Sequence, residues 1–408
     1  MFSALKKMNT QIRSSLILIL GLFIASLIFV FVINTQTSII PFDKKEEHDF
    51  GCGEKKLATI ENENKLPKKT IYLVENLVKA TPHLGCRMWN TYEKIAQVAL
   101  EIYNEDKPKY QPVIKFFNEQ APALDPLRPA QIIDVTKNSD ALITVGFAWS
   151  TMAGIASTKA NKINMPYVSP TGVLKEINEG SYSVSLGINI DQIVDAYKYL
   201  LKNNNIEHVI LTENTSAIHE REYAEKIRSV MLDSVSLHPL KYQSDLPTEK
   251  ILELTNKYKN VLVVVPGYTK LSSQITDIIK NKPDTSFLVG PQWSHDHKLL
   301  DLEGKIFCIS DYYNFLTTSM HKRVEKKWYE AGGDEIIGGY LFSLFDALYF
   351  SILALEETND REAVKSKIKN TSFSGVKGKV SISKGTIKKN IYLLKFKNHH
   401  GFEFVNTF

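Results

Sequence analysis

From about residue 70 onward, short continuous runs of apolar residues alternate with longer segments in which apolar residues recur every three or four positions. The continuous runs predict strands at Ile71–Val74, Val113–Phe117, Ala141–Val145, Tyr167–Val168, Val209–Leu211, Val261–Val265 and Ser286–Val289. The spaced pattern predicts helices between them, for example where Ile190, Ile193, Val194 and Tyr197 recur. Strands that are apolar on both faces are typical of parallel sheets covered by helices on each side. The chain contains more strand–helix units than one sheet would hold. This number predicts an α/β fold with two doubly wound, parallel-sheet lobes.

The N-terminal segment has a different pattern. An uncharged apolar run extends from Leu16 to Ile33 and follows the basic residues Lys6, Lys7 and Arg13. A helix of roughly 20 apolar residues spans a bilayer, and basic residues before it favour a cytoplasmic N-terminus. We therefore predict a cytoplasmic segment at 1–15, a hydrophobic helix at 16–34, and a polar tether at 35–69. The helix is predicted to be an anchor in the inner membrane, with a cleaved signal segment as the alternative.

Composition and charge exclude several classes of protein. With 43% hydrophobic and 23% charged residues among 408, the chain can form two packed domains. Its net charge of +5 arises largely from the residues before the apolar run, so no basic face for nucleic acid is predicted. No glycine-rich dinucleotide fingerprint follows a predicted strand, and no nucleophile–base or paired-carboxylate arrangement is apparent. The sequence therefore predicts no enzymatic activity, no cofactor and no metal.

The chain has three cysteines, Cys52, Cys86 and Cys308. Outside the cytoplasm two of them can pair, and Cys52 and Cys86 are the better candidates because they flank the first predicted strand. Cys308 stands in the apolar stretch Lys305–Ser310 and is predicted to be a buried free thiol. The alternative is that all three cysteines are simply packed.

A succession of strand ends and hydroxyl residues marks the first third of the predicted lobes. The strand at Ala141–Gly146 ends in glycine and is followed by Ser150 and Thr151, where a helix should begin. A proline, a short strand and the sequence Ser-Pro-Thr then follow within Met165–Thr171. Ligands of open α/β sheets bind beyond the carboxyl ends of the strands, where helix N-termini present free N–H groups.

Two later segments complete a pattern that resembles a known family. One is the apolar stretch Gly339–Leu355, with Phe345-Asp346-Ala347-Leu348 at its centre. The other is Phe373–Ile382 (FSGVKGKVSI), with a closing strand at Tyr392–Lys397. In their order and spacing, these segments and the preceding one resemble the type I periplasmic binding proteins, in particular the branched-chain amino-acid-binding, leucine-binding-like family.

The resemblance implies two lobes joined by three chain crossings, with a ligand bound in the cleft between them. The crossings are expected near Tyr182–Leu186, Ile309–Tyr312 and Lys384–Lys389. Residues 70–184 and 311–385 would form the first lobe, and residues 185–310 and 386–408 the second. Such proteins close about the crossings when ligand binds.

The candidate ligand-binding residues follow from the strand ends. Ser150, Thr151, Ser169 and Thr171 are expected to line the first lobe, because hydroxyls and N–H groups in these places suit a carboxylate. The alternative is that Ser150 only caps a helix and Ser169 only stabilises a turn. Further candidates are the aromatic residues Trp149, Tyr268 and Trp293 and, for a ligand ammonium, Asp296 and less strongly Asp311.

Two segments depart from the family pattern. The family's "P-x-T-G" loop after the first strand is replaced by Glu75–Pro82, and its "Y-G" after the fifth strand is replaced within Glu213–Glu222. Two functions are therefore predicted. The first is an extracytoplasmic solute-binding protein that delivers a small polar, amino-acid-like ligand to the permease of an ABC importer. The alternative is a membrane-tethered sensor or regulator that contacts another protein of the cell envelope.

Overall fold

The computed structural model describes residues 59–60, 66–75, 82–106, 108–118, 127–147, 149–231, 233–266, 272–282, 285–290, 305–312, 318–333, 339–397 and 401–408. The predicted anchor at 16–34 lies outside these residues. Among the helices within them, none combines the length and the hydropathy that a membrane crossing requires.

Strands and helices alternate along most of the described chain, as the apolar pattern predicts. The strands are β1 (Thr59–Ile60), β2 (Lys68–Glu75), β3 (Gln111–Asn118), β4 (Ala141–Gly146), β5 (Tyr167–Ser169), β6 (Ser183–Ser185), β7 (His208–Asn214), β8 (Ser236–Tyr242), β9 (Val261–Val265), β10 (Ser286–Val289), β11 (Lys305–Ser310), β12 (Ser372–Gly375), β13 (Gly378–Ser383), β14 (Thr386–Lys388), β15 (Tyr392–Lys397) and β16 (Gly401–Thr407). The helices are α1 (Pro82–Glu105), α2 (Arg128–Lys137), α3 (Ser150–Ile163), α4 (Lys175–Glu179), α5 (Ile190–Asn203), α6 (Ile218–Arg228), α7 (Thr248–Lys257), α8 (Ser272–Asn281), α9 (Ser319–Glu330), α10 (Gly339–Leu355) and α11 (Arg361–Lys369).

The first sheet has six strands in the order β1-β3-β2-β4-β5-β6. Strands β2 to β6 are parallel, and β1 is antiparallel to β3. Alternate residues of β2 enter opposite cores, because successive side chains of a strand point to opposite faces. Ile71 and Leu73 pack with α1, α9 and α10, whereas Tyr72 and Val74 pack with α2 and α3. Both faces of this sheet are therefore covered.

The second sheet has seven strands in the order β16-β15-β11-β10-β9-β7-β8. Strands β7 to β11 are parallel, whereas β15 and β16 are antiparallel to their neighbours. The fully buried β9 again separates two cores, with Val263 and Val265 facing α7 and α8, and Leu262 and Val264 facing α5 and α6. The prediction of two sheets covered on both faces is confirmed.

A third, antiparallel sheet of strands β12-β13-β14 packs on the core of the first sheet through Phe373, Val380, Ile382 and Ile387. We call the first and third sheets, with α1–α4 and α9–α11, the first half of the fold. The second sheet with α5–α8 is the second half. The chain passes between the halves three times, after β6, after β11 and after β14.

The structure departs from the predicted elements at the start of the first half. Thr59 and Ile60 lie in the predicted polar tether, yet they form β1 against β3. Strand β2 begins at Lys68 rather than near Thr70, because Lys69 has a structural role despite its charge. Its ammonium donates to the carbonyl oxygens of Leu355 and Thr358 at 2.7 Å, just where α10 ends.

Strand β8 was not predicted, since its sequence contains Pro239 and alternates polar with apolar residues. It lies at the edge of the second sheet, where a proline leaves no ladder hydrogen bond unpaired. Cys308 is a buried free thiol in β11, and that prediction is confirmed. The pairing of Cys52 with Cys86 stays a prediction, because Cys52 lies outside the described residues.

Candidate ligand-binding cleft

The turn after β4 brings the backbone of two strands unusually close together. Gly146 has a φ of +149°, and a Cβ atom placed on it would lie far inside van der Waals contact of the Val74 carbonyl oxygen. The Phe147 N–H donates to that oxygen at 3.3 Å, and the Tyr167 hydroxyl donates to the Gly146 carbonyl at 2.8 Å. Only glycine fits here without displacing β2, and the turn fixes where α3 begins.

Helix α3 begins directly after this turn, as predicted. Trp149 is the N-cap with an extended backbone and no side-chain capping bond, and its side chain is 54% exposed. Thr151 is exposed on the first turn, whereas the Ser150 hydroxyl accepts a hydrogen bond from the Val173 N–H at 3.2 Å. The first turn of α3 therefore presents the Thr151 hydroxyl and the indole of Trp149, while Ser150 fastens the next loop.

That next loop follows β5 and contains the other two predicted hydroxyl residues. The Ser169 side chain is fully buried; its hydroxyl accepts from the Gly172 N–H at 2.9 Å and donates to the Phe147 carbonyl at 3.4 Å. Thr171 is half-buried. Hydrogen bonds thus join the loop after β5 to the turn after β4, and bring the four hydroxyl residues to one edge of the sheet. Ser169 acts there as a turn residue.

The remaining predicted residues are distributed differently. Tyr268, Trp293 and Asp296 lie outside the described residues, so their contribution to the cleft stays a prediction. Asp311 is buried and ion-paired to two lysines, Lys377 and Lys389. Its expected role toward a ligand ammonium is therefore wrong, because its charge is already neutralised inside the protein.

The segment Glu213–Glu222, which departs from the family pattern, lies in the second half, and two of its carboxylates have partners within that half. Glu213 is buried and forms an ion pair with Arg228 at the end of α6. Glu220 is also buried, and its carboxylate accepts from the Tyr242 hydroxyl at 2.8 Å. Burial, and after it the charge of Glu220 and this hydrogen bond, raise the pKa of Tyr242 above its ordinary value. These two contacts hold α6 against β7 and β8.

Glu222 extends from α6 toward the first half. Helix α6 packs against α3, and the Glu222 carboxylate lies near the backbone N–H of Lys175 at the start of α4. Burial, and after it the nearby carboxylate of Glu176, raise the pKa of Glu222 to about 7. Glu222 is thus a titratable contact between the two halves.

We expect the protein to become more stable on acidification, because protonation neutralises the half-buried Glu222 carboxylate. Because the folded-state pKa is raised, the contribution of Glu222 to stability is complete below its ordinary pKa and is lost as the pH rises through about 7. Glu222→Gln should reduce the fall in melting temperature between pH 6 and pH 8. The groups facing Glu222 are Glu176, Glu225 and Arg221. Glu249→Gln, at an exposed position of α7, is the matched control and should keep the wild-type profile; equal profiles for both variants would contradict the assignment.

A buried ionic cluster lies where the chain passes between the halves. Asp311 Oδ1 accepts from Lys377 Nζ at 3.0 Å, and Asp311 Oδ2 pairs with Lys389 Nζ. Burial would raise the pKa of the Asp311 carboxyl, but the two ammonium groups outweigh it and hold that pKa well below its usual range. Lys377 Nζ also donates to the Ser343 hydroxyl at 2.6 Å, so the cluster is anchored on α10.

Asp346, at the centre of α10, fixes the turn between β12 and β13. Its carboxylate accepts from the backbone N–H groups of Val376 at 2.7 Å and Lys377 at 3.3 Å. A side chain on Gly375 would collide with this carboxylate, which explains the glycine of the FSGVKGKVSI segment. The turn in turn places Lys377 beside Asp311.

Sequence reasoning missed the roles of Glu222, Lys377 and Lys389, and quoted Asp346 without one. For Asp346 a signal was present, since a lone carboxylate in an otherwise apolar helix must find buried partners. The lysines carried no such signal, because lysines are ordinarily exposed to solvent.

Comparisons with solved structures show that the chain is similar in fold to several bacterial binding proteins. The substrate-binding protein LivJ of the branched-chain amino-acid transporter of Streptococcus pneumoniae, in complex with isoleucine, is similar over 84% of this chain and 99% of its own, with 17% identity and a TM-score of 0.67. The leucine-binding protein LivK of Thermotoga maritima is similar over 83% of this chain and 98% of its own, with 14% identity and a TM-score of 0.66.

A third similar structure binds a different kind of molecule. The solute-binding protein of an ABC transporter from Rhodopseudomonas palustris, in complex with 4-hydroxybenzoate, is similar over 84% of this chain and 97% of its own, with 13% identity and a TM-score of 0.67. No protein-family model matches the sequence. A comparison with curated proteins finds no match either. The similarity therefore concerns the fold.

Proposed function

We propose that this chain, which has the type I periplasmic-binding-protein fold, is an extracytoplasmic solute-binding protein that captures a small carboxylate-bearing ligand between its two halves. The observation that carries the proposal is the arrangement of the hydroxyl residues. The exposed first turn of α3 and the loop after β5 meet at the carboxyl edge of the first sheet, and α6 of the second half packs against α3. A ligand at this edge would contact both halves.

The class of ligand is inferred from chemistry that two similar proteins share. Isoleucine and 4-hydroxybenzoate, bound by the two proteins named above, both carry a carboxylate. In this chain the Thr151 and Thr171 hydroxyls and the N–H groups of the first turn of α3 suit such a group. Trp149 would cover an apolar or aromatic part of the ligand. Tyr268, Trp293 and Asp296 remain candidates for the facing wall.

The proposed lobes are residues 70–184 with 311–385, and residues 185–310 with 386–408. Ligand that contacts both lobes only when they are closed must favour the closed state. The permease of an ABC importer would then recognise the closed form, at the outer face of the membrane in which residues 16–34 are proposed to anchor the chain.

The proposal is tested by ligand binding to the full chain in detergent. L-isoleucine and 4-hydroxybenzoate are titrated by calorimetry, beside their amides, which lack the carboxylate. A bound carboxylate at about 100 times its Kd should stabilise the protein by roughly 2.7 kcal/mol. For whichever of them binds, Thr151→Ala should weaken binding about tenfold, because a hydrogen bond to a charged group contributes ~1.5–3 kcal/mol.

Thr158→Ala is the matched control, since Thr158 lies on the same helix and its hydroxyl is bonded to the Gly154 carbonyl at 2.9 Å. It should bind like the wild type. Equal affinity in Thr151→Ala and wild type would refute the site. Binding of the amides as tightly as the acids would refute the carboxylate class, and no binding of any of the four would count against solute capture of this class.

The second candidate function is a membrane-tethered sensor or regulator of the cell envelope. The observation that favours it is Glu222, a carboxylate of the second half that lies near a backbone N–H at the start of α4. If Glu222 takes the place of a ligand, Glu222→Ala should open the halves, and carboxylate ligands should not close them again. Under the transport proposal the same variant should still close on ligand, as measured by small-angle scattering.

A further inference from the structure

One buried side chain contacts or belongs to all three connections between the halves. Lys389 lies in the connection from β14 to β15, and its ammonium pairs with Asp311, which lies directly after β11 in the second connection. The same ammonium donates to the carbonyl oxygen of Leu186, in the first connection, at 2.5 Å. The Lys389 side chain is only 2% exposed, so water does not compete for these bonds.

Backbone contacts reinforce the link between the first and third connections. The Gln192 side-chain amide donates to the Lys389 carbonyl oxygen at 2.6 Å, and the Asn189 amide donates to the Ile387 carbonyl oxygen at 3.4 Å. Both side chains come from the start of α5 in the second half. The entry into the second half is thus bonded directly to the strand that leaves the first half.

Lys377 has a different role, although it pairs with the same carboxylate. Its ammonium joins Asp311 to Ser343 of α10, and Lys377 and Ser343 both belong to the first half. Lys377 therefore fastens the second connection to one half, whereas Lys389 fastens the three connections to one another.

This arrangement restricts how the halves can rotate. A rotation that separated Leu186, Asp311 and Lys389 would leave a buried ammonium without its acceptors, which is far more costly than breaking a surface pair. A rotation about the cluster leaves these bonds intact. The least costly pivot therefore passes through Lys389.

We propose that Lys389 is a positioning residue that pins the three connections together and so defines the axis about which the two halves close. The inference rests on the proposed function and deepens it, because closure about a fixed axis would bring α6 onto the first turn of α3 in one orientation. The binding residues themselves are not part of the cluster.

The matched variants are Lys389→Met and Lys377→Met. Each replaces a buried ammonium by an apolar chain of similar length, and each leaves Asp311 with one lysine partner. Both should lower the melting temperature. Only Lys389→Met should change the distance between the halves, measured by electron–electron double resonance on the full chain, with spin labels attached through p-acetylphenylalanine at the exposed positions Lys162 and Lys202.

In wild type and Lys377→Met we expect one narrow distance distribution, and in Lys389→Met a broader one with longer distances added. A wild-type distribution in Lys389→Met would show that the residue only stabilises the fold, and a similar broadening in Lys377→Met would assign the effect to loss of charge. If Lys389→Met does not fold, Gln192→Ala, which breaks the 2.6 Å bond to the Lys389 carbonyl, should give a smaller broadening. No broadening there would overturn the proposal.

This measurement uses no ligand, so its result is separate from that of the binding titration. If Lys389→Met broadens the distance distribution but no carboxylate binds, the inference stands and the proposed function is refuted. If a carboxylate binds but the distribution in Lys389→Met is unchanged, the proposed function stands and the inference is refuted.

Discussion

Gly146→Ala should destabilise the protein by more than about 4 kcal/mol, a loss that single substitutions reach only when a specific collision or cavity is involved. The new Cβ atom would overlap the Val74 carbonyl oxygen, and Val74 is paired with Gly146 between the parallel strands β2 and β4. Neither strand can yield, because β2 has neighbours on both sides and its residues Ile71 and Val74 are fully buried. The free energy of unfolding is measured by denaturant titration, with expression level and protease resistance as the readouts if the variant does not fold.

Gly378→Ala separates the collision from the strain of the backbone. Gly378 also has a positive φ, +102°, but no heavy atom lies within 4 Å of the position that its Cβ would take. An alanine there should cost only about 1–3 kcal/mol, the usual range for strained backbone. If the two variants lost similar amounts of stability, the close approach of β4 to Val74 would be irrelevant.

Asp311→Ala should cost roughly 3–5 kcal/mol or more, because it leaves two buried ammonium groups without their shared carboxylate. Thermal and denaturant unfolding of the variant should both show the loss at neutral pH. Glu179→Ala is the control, since Glu179 forms an ion pair with Lys175 in which both side chains are more than half exposed. Such a surface pair contributes little, so the control should lie within about 1 kcal/mol of wild type. A comparable loss in both variants would contradict the buried role of Asp311.

The same carboxyl should contribute to acid unfolding. Its folded-state pKa lies well below its ordinary value of 3.8, so its stabilising contribution is present at neutral pH and is lost as the pH falls below that value. Asp311→Ala should therefore lose less stability than wild type between pH 5 and pH 2. A parallel decline of wild type and variant over this range would indicate that other carboxylates govern acid unfolding.

The candidate site was predictable to the extent that it follows from strand ends. Ser150, Thr151, Ser169 and Thr171 are expected at one edge because each follows a buried parallel strand, and the hydrogen bonds between the two loops bring them to that edge. Their separate roles were not predictable. Whether a hydroxyl remains exposed, as for Thr151, or is buried in a turn, as for Ser169, depends on the path of the adjacent loop.

The sequence by itself determined the elements and their burial. Strands that are apolar throughout, such as Val261–Val265, must be covered on both faces, and the apolar helix Gly339–Leu355 must be covered on all sides. This requirement leads to two packed sheets. Cys308 is buried for the same reason. The partners of buried charges were decided only by the tertiary structure. Asp311 lies 66 residues from Lys377 and 78 from Lys389. The local spacing of apolar residues indicates which face of an element is buried, but not which distant polar groups meet on that face. The meeting of distant polar groups depends on how the three connections cross. For this reason Asp311, expected to contact a ligand, forms an internal ion pair instead.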